Sequence, residues 1–112
     1  MRIAIPVSNG VLCEHFGHCE KFALIEVDAA GGSIRSASEV EAPEHQPGLL
    51  PGWLKERGVT HVIAGNMGSR ARTLFAEVSI DVLTGAEPGS AEALASRYLA
   101  GTLTTGRNTC DH

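Results

Sequence analysis

Long apolar runs are missing from this sequence: the longest uncharged apolar runs, such as Phe22-Ala23-Leu24-Ile25, are a few residues, far short of the ~20 needed to cross a bilayer. No membrane span is expected. A basic excess is missing too, since the net charge is −4 and the pI is near 5.7. Without a basic stripe there is nothing to displace counterions from phosphates, which excludes nucleic acid as an expected partner. The start, Met1-Arg2-Ile3-Ala4-Ile5-Pro6, lacks the apolar core and small-residue cleavage site of a secretory signal, so the expected location is the cytoplasm. There is no Cys-x-x-Cys and no internal repeat. The three cysteines, an odd number in a reducing compartment, are expected as ligands, reactive groups or buried fillers rather than as disulfides.

What is present suits a single domain. At 112 residues the chain is one folding unit, and it should bury roughly 65% of the surface of its extended form. Its 43% hydrophobic and 20% charged residues are ordinary globular usage, which argues against disorder and low complexity. Alternation in Ile3, Ile5 and Val7 before Asn9-Gly10 predicts a first strand over 2–8, ended by a turn. The apolar run over 21–28 predicts a buried second strand, and the more polar 33–42 an edge strand paired to it. Leu49, Leu50, Trp53 and Leu54 share one face of a helix that Gly58 stops. Strands over 61–64 and 80–83 are followed by helices over 69–77 and 90–100, the last stopped by Gly101. This is an α/β domain over 1–101 with a mixed five-stranded sheet, spatial order 3-2-1-4-5, flanked by three helices. Residues 102–112 are a polar tail.

The loops after strands one, four and five fall at the carboxyl edge, where open α/β sheets bind ligands. The first of these loops carries Cys13, His15, His18 and Cys19, two thiols and two imidazoles within seven positions. Thiolate and imidazole are the soft and borderline donors preferred by zinc, copper and iron-sulfur centres, and a loop can turn several toward one ion. The spacing names a donor set, not a metal. Taken singly, Cys13 or Cys19 can equally be a small buried filler, and a histidine can cap backbone groups. The tail adds Cys110 and His112. The last helix runs back from the carboxyl edge, so the tail starts at the far end; its eleven residues span up to ~36 Å, enough to cross a domain of ~13 Å radius of gyration. His45 lies in a polar loop, where a solvated role is the common one. Gly65-Asn66-Met67-Gly68 can form an anion-friendly turn at a helix start, or simply a tight turn, and Met67 can face a cofactor or fill the core.

In order along the chain stand Ile3-Ala4-Ile5-Pro6-Val7, His15-Phe16-Gly17, His45-x-Pro47-Gly48-x-Leu50-Pro51, Gly58-Val59, Val62-Ile63-Ala64-Gly65-x-x-Gly68-x-Arg70-Ala71 and Asn108-x-Cys110-x-His112. With these motifs the sequence resembles the dinitrogenase iron-molybdenum cofactor family, which takes in NifX-like carriers, the carboxyl-terminal domain of NifB-type proteins and small stand-alone members. The resemblance implies a ribonuclease-H-like α/β domain. It also implies non-catalytic binding or carriage of iron-molybdenum cofactor, its precursors or other metal-sulfur clusters. By position, His15, His45, Cys110 and His112 match the family's candidate cluster contacts, and Gly65 and Gly68 its glycine turn. Asn66 and Met67 stand where relatives are often richer in glycine, and Cys13, His18 and Cys19 go beyond the recurrent motif.

The expectation is thus a cluster-binding protein, not an enzyme, with Cys13, His15, His18, Cys19, Cys110 and His112 as metal donors and His45, Gly65, Asn66, Met67 and Gly68 around the cofactor. Cluster-assembly proteins are the partners this implies, and the chain is expected as a monomer or weak homodimer. Because donors must be deprotonated, affinity should fall as pH drops through the histidine range near ~6.5. Two rivals stay open. One is a mononuclear zinc or copper site, which needs four donors and no inorganic sulfide. The other is a thiol enzyme in which His18 activates Cys19 or His15 activates Cys13.

Overall fold

A computed structural model describes residues 1–14, 16, 19–28, 32–44 and 48–103. Its central strand, β1 (Arg2–Ser8), is apolar on both sides because both sides are covered: Ile3, Ile5 and Val7 enter one core cluster and Ala4 the other. Asn9 and Gly10, with φ of 54° and 81°, form the tight turn expected of an Asn-Gly pair, and β2 (Val11–Leu12) folds straight back onto Val7 and Ser8. Next come β3 (Lys21–Val27) and β4 (Ile34–Glu41), antiparallel to each other, with β3 antiparallel to β1.

From there the chain alternates helix and strand: α1 (Leu49–Glu56), β5 (His61–Ile63), α2 (Ser69–Glu77), β6 (Asp81–Leu83) and α3 (Ala91–Ala100). Ser90 caps α3, its hydroxyl accepting the Ala93 N–H at 3.3 Å, and Gly101 closes it at φ 76°. β5 and β6 run parallel to β1, as right-handed crossovers require. Among the described residues the sheet has six strands, ordered β4-β3-β1-β5-β6 with β2 paired to β1. The five segments expected from the sequence lie along that path in the order written for them. The count is six, not five, because Val11–Leu12, expected as loop, is a strand.

The core has two layers. Ile3, Ile5, Ile25 and Ile63 pack under Leu94 and Ala95 of α3. On the other face Ala4, Phe22 and Val62 pack under Leu54 of α1 and Phe75 of α2. β4 is the exposed edge that its polar sequence predicts. No helix among the described residues is long and apolar enough to cross a membrane.

Candidate functional site at the carboxyl edge

β1 and β5 pair only at Ile3↔His61 and Ala4↔Val62. Above Ala4 the two strands part, and the chain after β1 enters the gap. β2 takes the place beside Val7 and Ser8, the Cys13 N–H donates to the Pro6 carbonyl at 2.8 Å, and the Leu12 N–H donates to the Gly89 carbonyl at 2.8 Å. The loop then binds the turn after β5 in both directions. The Asn66 N–H donates to the Glu14 carbonyl at 3.0 Å, and the Phe16 N–H donates to the Asn66 carbonyl at 3.1 Å. The turn after β6 joins the same assembly, since Gly85 and Ala86 donate to the Gly65 and Ala64 carbonyls at 2.6 and 3.1 Å. Three carboxyl-edge loops are therefore held as one unit by backbone hydrogen bonds. Between them lies a groove of about 550 Å³ lined by Leu12 and Glu14 from the first loop, Gly65 and Asn66 from the second, and Gly85, Ala86 and Pro88 from the third.

Both ends of the thiol-bearing loop are fixed. At its base the Glu20 carboxylate accepts the Asn9 N–H at 3.0 Å, and the Ser8 hydroxyl accepts the Glu20 N–H at 3.2 Å. In its middle the Phe16 ring packs 5.7 Å from Phe22 and, edge-on, 5.5 Å from Phe75. That ring ties the loop to the α1/α2 side of the core, where Cys19 also packs. Cys13 and Cys19 are half-buried thiols, one secured through its backbone to the end of β1 and the other through its packing.

The structure divides the expected site residues. Cys13 and Cys19 lie on the loop that fills the β1/β5 gap. Gly65 is buried and its position favours glycine, because a Cβ there would stand a tight 3.1 Å from the Glu14 carbonyl oxygen. Asn66 is a hinge between loops, and its N–H is committed to Glu14 instead of facing an anion. Met67, expected beside a cofactor, has its side chain in the core at 1% exposure, against the cluster of Phe22 and Phe75. Gly68 is the N-cap of α2 with an ordinary φ of −66°, and a Cβ there meets nothing within 4 Å. The anion-friendly turn is thus largely closed by internal hydrogen bonds. What stays positive is the first turn of α2, with Arg70 and Arg72 and no acidic residue. His15, His18, His45, Cys110 and His112 lie outside the described residues. Among the described residues no three His, Cys, Asp or Glu side chains form a metal-holding group.

Glu14, Phe16 and Glu20 were not singled out as site residues by sequence reasoning. Only Phe16 carried a signal, its place inside His15-Phe16-Gly17.

A family model described as "Dinitrogenase iron-molybdenum cofactor" matches residues 1–101. The chain belongs to that family. Its concern is the biosynthesis or carriage of the iron-molybdenum cofactor. Among curated proteins the chain is similar to the uncharacterized protein MJ0580 of Methanocaldococcus jannaschii, 34% identical over 87 residues, covering 73% of this chain and 72% of that one. Among solved structures it is similar to PH0822, with a TM-score of 0.85 and 28% identity over 94% of each chain. It also shares its fold with the apo form of the orange protein from Desulfovibrio gigas, at a TM-score of 0.72 and 23% identity over 96% of this chain and 93% of that one.

Proposed function

We propose that this protein binds a metal-sulfur cluster, of iron-molybdenum or iron-sulfur type, as cargo that it carries and does not transform. The observation that supports this reading above the others is the two-way hydrogen bonding of Glu14 and Phe16 with Asn66, which holds the Cys13–Cys19 loop at the carboxyl edge between β1 and β5. That is the place where an open α/β sheet receives a ligand. Thiolates are the donors a metal-sulfur cluster takes, and Cys13 and Cys19 supply two of them at the two fixed ends of this loop. His15 and His18 from the same loop, His45, and Cys110 with His112 would complete the donor set. The arginines opening α2 would favour an anionic guest on that side. The ribonuclease-H-like arrangement implied by the motifs suits such a carrier, which would receive its cargo from, and pass it to, cluster-assembly proteins.

The reading requires inorganic sulfide as well as metal. Protein reconstituted without oxygen with iron, molybdate and sulfide, then desalted, is expected to keep a visible chromophore with stoichiometric metal and acid-labile sulfide. Retention of zinc or copper alone, with no sulfide, would replace the cluster by a mononuclear site. Retention of nothing would remove the function.

A further inference from the structure

Among the described residues β4 is the longest strand and an outer edge of the sheet, with β3 on one side and no strand on the other. Arg35 to Glu39 are all exposed. A groove of about 510 Å³, with Ala23, Ala37 and Glu39 on one side and Ser90 and Glu92 on the other, sets α3 back from this edge. Exposed edges are usually guarded by proline, lysine, a bulge or shortness. Here the register shift at Glu26/Val27, which leaves Arg35 without a β3 partner, guards one end, while Ser36-Ala37-Ser38 presents small side chains along the middle. We infer that β4 pairs antiparallel with β4 of a second copy of this chain, with Ser38 on the two-fold axis.

The backbone sets that register. The Ala42 N–H donates to the Glu20 carbonyl at 3.0 Å, one place beyond the Lys21↔Glu41 pair. Hydrogen-bonded pairs alternate along an antiparallel ladder, so Ser36, Ser38 and Val40 direct their backbone groups to β3, while Ala37, Glu39 and Glu41 turn theirs outward. Two such edges bond only where outward residues meet. With Ser38 on the axis, Ala37 of each copy faces Glu39 of the other, and the two pairs exchange four N–H···O=C bonds. Centring on Glu39 would oppose two carboxylates, and centring on Ala37 would reach the irregular Arg35 after a single regular pair. Charge agrees with the direction. The edge carries Arg35 at one end and Glu39 and Glu41 at the other, so antiparallel pairing lays the acidic end of each copy beside the basic end of its partner, with Glu41 level with Arg35. Parallel pairing would set like charges level. The axis stands perpendicular to the sheet, so the two sheets join into one and their carboxyl edges point opposite ways. The two Cys13–Cys19 loops then lie at opposite ends, and the copies do not share one cluster. The pairing itself stands whether or not a cluster is bound. One strand pair is a small contact beside the ~1,200 Å² of stable interfaces, so the dimer forms and separates with concentration.

The test is sedimentation of the whole chain, metal-free and fully reduced, from ~10 μM to ~1 mM, the range in which weak contacts saturate. The average mass is expected to climb from 11.8 kDa toward twice that value. At the top of the range the Ala37 and Glu39 amides should exchange more slowly than at the bottom, while the Leu24 amide, already inside the sheet, stays unchanged. Ala37→Pro removes an outward N–H, a change that edge strands accept, and should leave a folded monomer. Ser38→Lys sets two ammonium groups together at the axis and should also leave a monomer, without altering the backbone. Arg35→Glu should weaken association about fivefold, and adding Glu41→Arg should restore it. A monomer at every concentration would overturn the inference, as would a dimer that survives both Ala37→Pro and Ser38→Lys. Association of Arg35→Glu equal to that of wild type would overturn the antiparallel register.

Discussion

The lower and upper halves of the β1/β5 seam are built from the same two strands and do opposite things. Below, Ile3 and Ala4 pair directly with His61 and Val62, and Ile3, Ala4 and Val62 are fully buried. Above, the strands part and admit a loop that makes backbone hydrogen bonds to both sides. Where strand pairing stops, β2 pairs with Val7 and Ser8, the Cys13 N–H reaches the Pro6 carbonyl, and Glu14 and Phe16 bond Asn66, so the loop takes over backbone partners along the gap. The lower half supplies core packing, and the upper half uses backbone hydrogen bonds to fix a loop on it.

Substitutions in the two halves should separate these roles. Ile3→Ala empties a wholly buried position in the lower half and should cost about 3 kcal/mol, read as a lower denaturant midpoint for the whole molecule. Phe16→Ala removes the ring that anchors the upper loop. Because that ring is half-buried, the cost should be smaller, about 2 kcal/mol, accompanied by faster hydrogen exchange at the Asn66 N–H. If Phe16→Ala instead leaves Asn66 exchange unchanged, the loop is not held by its ring.

The two glycines of the β5 turn sharpen the contrast at smaller scale. Gly65→Ala sets a methyl 3.1 Å from the Glu14 carbonyl and should cost about 1 kcal/mol as the loop gives way. Gly68→Ala meets open space at a φ that alanine accepts. Its weaker N-cap is offset by the stiffer unfolded chain, so stability should stay within about 0.5 kcal/mol. Equal costs at the two positions would contradict the close approach at Gly65.

The smallest effect expected lies at the lower end of the sheet, where Arg2 donates to Glu26 at 2.8 Å and the hydrogen bond holds the Glu26 carboxyl below its usual range. Such a lowered carboxyl stabilises the fold above the ordinary carboxylate range, and that contribution fades as pH falls through the lowered value. Wild type and Glu26→Gln should therefore differ slightly at neutral pH and converge in acid, in a melting series against pH. The pair is only part-buried, so salt should shrink the difference.

Much of this architecture is legible in the residues. The alternation in β1, the apolar run of β3 and the capped, periodic α3 are local signals, and they give the strand path and the carboxyl edge. β2 was missed because two residues carry no period. The reason for Gly65 was missed because the group it must admit, Glu14, is distant in the chain and meets it only in the folded state. Met67 was ambiguous for a related cause: a flexible thioether suits a cofactor contact and a core gap alike, and only its neighbours Phe22 and Phe75 decide for the core. The candidate donors from Cys13 to Cys19 are legible as chemistry, while the bonds of Glu14 and Phe16 to Asn66 that fix their loop join segments far apart in the chain and leave no local pattern.

The central claim is that the thiols of the upper loop hold the cargo. The direct measurement is metal and acid-labile sulfide per chain, after identical anaerobic reconstitution and desalting, for wild type and for a Cys13→Ser/Cys19→Ser double variant with an unchanged melting temperature. The account predicts stoichiometric retention in the first and loss of most of it in the second; equal retention in both would contradict it.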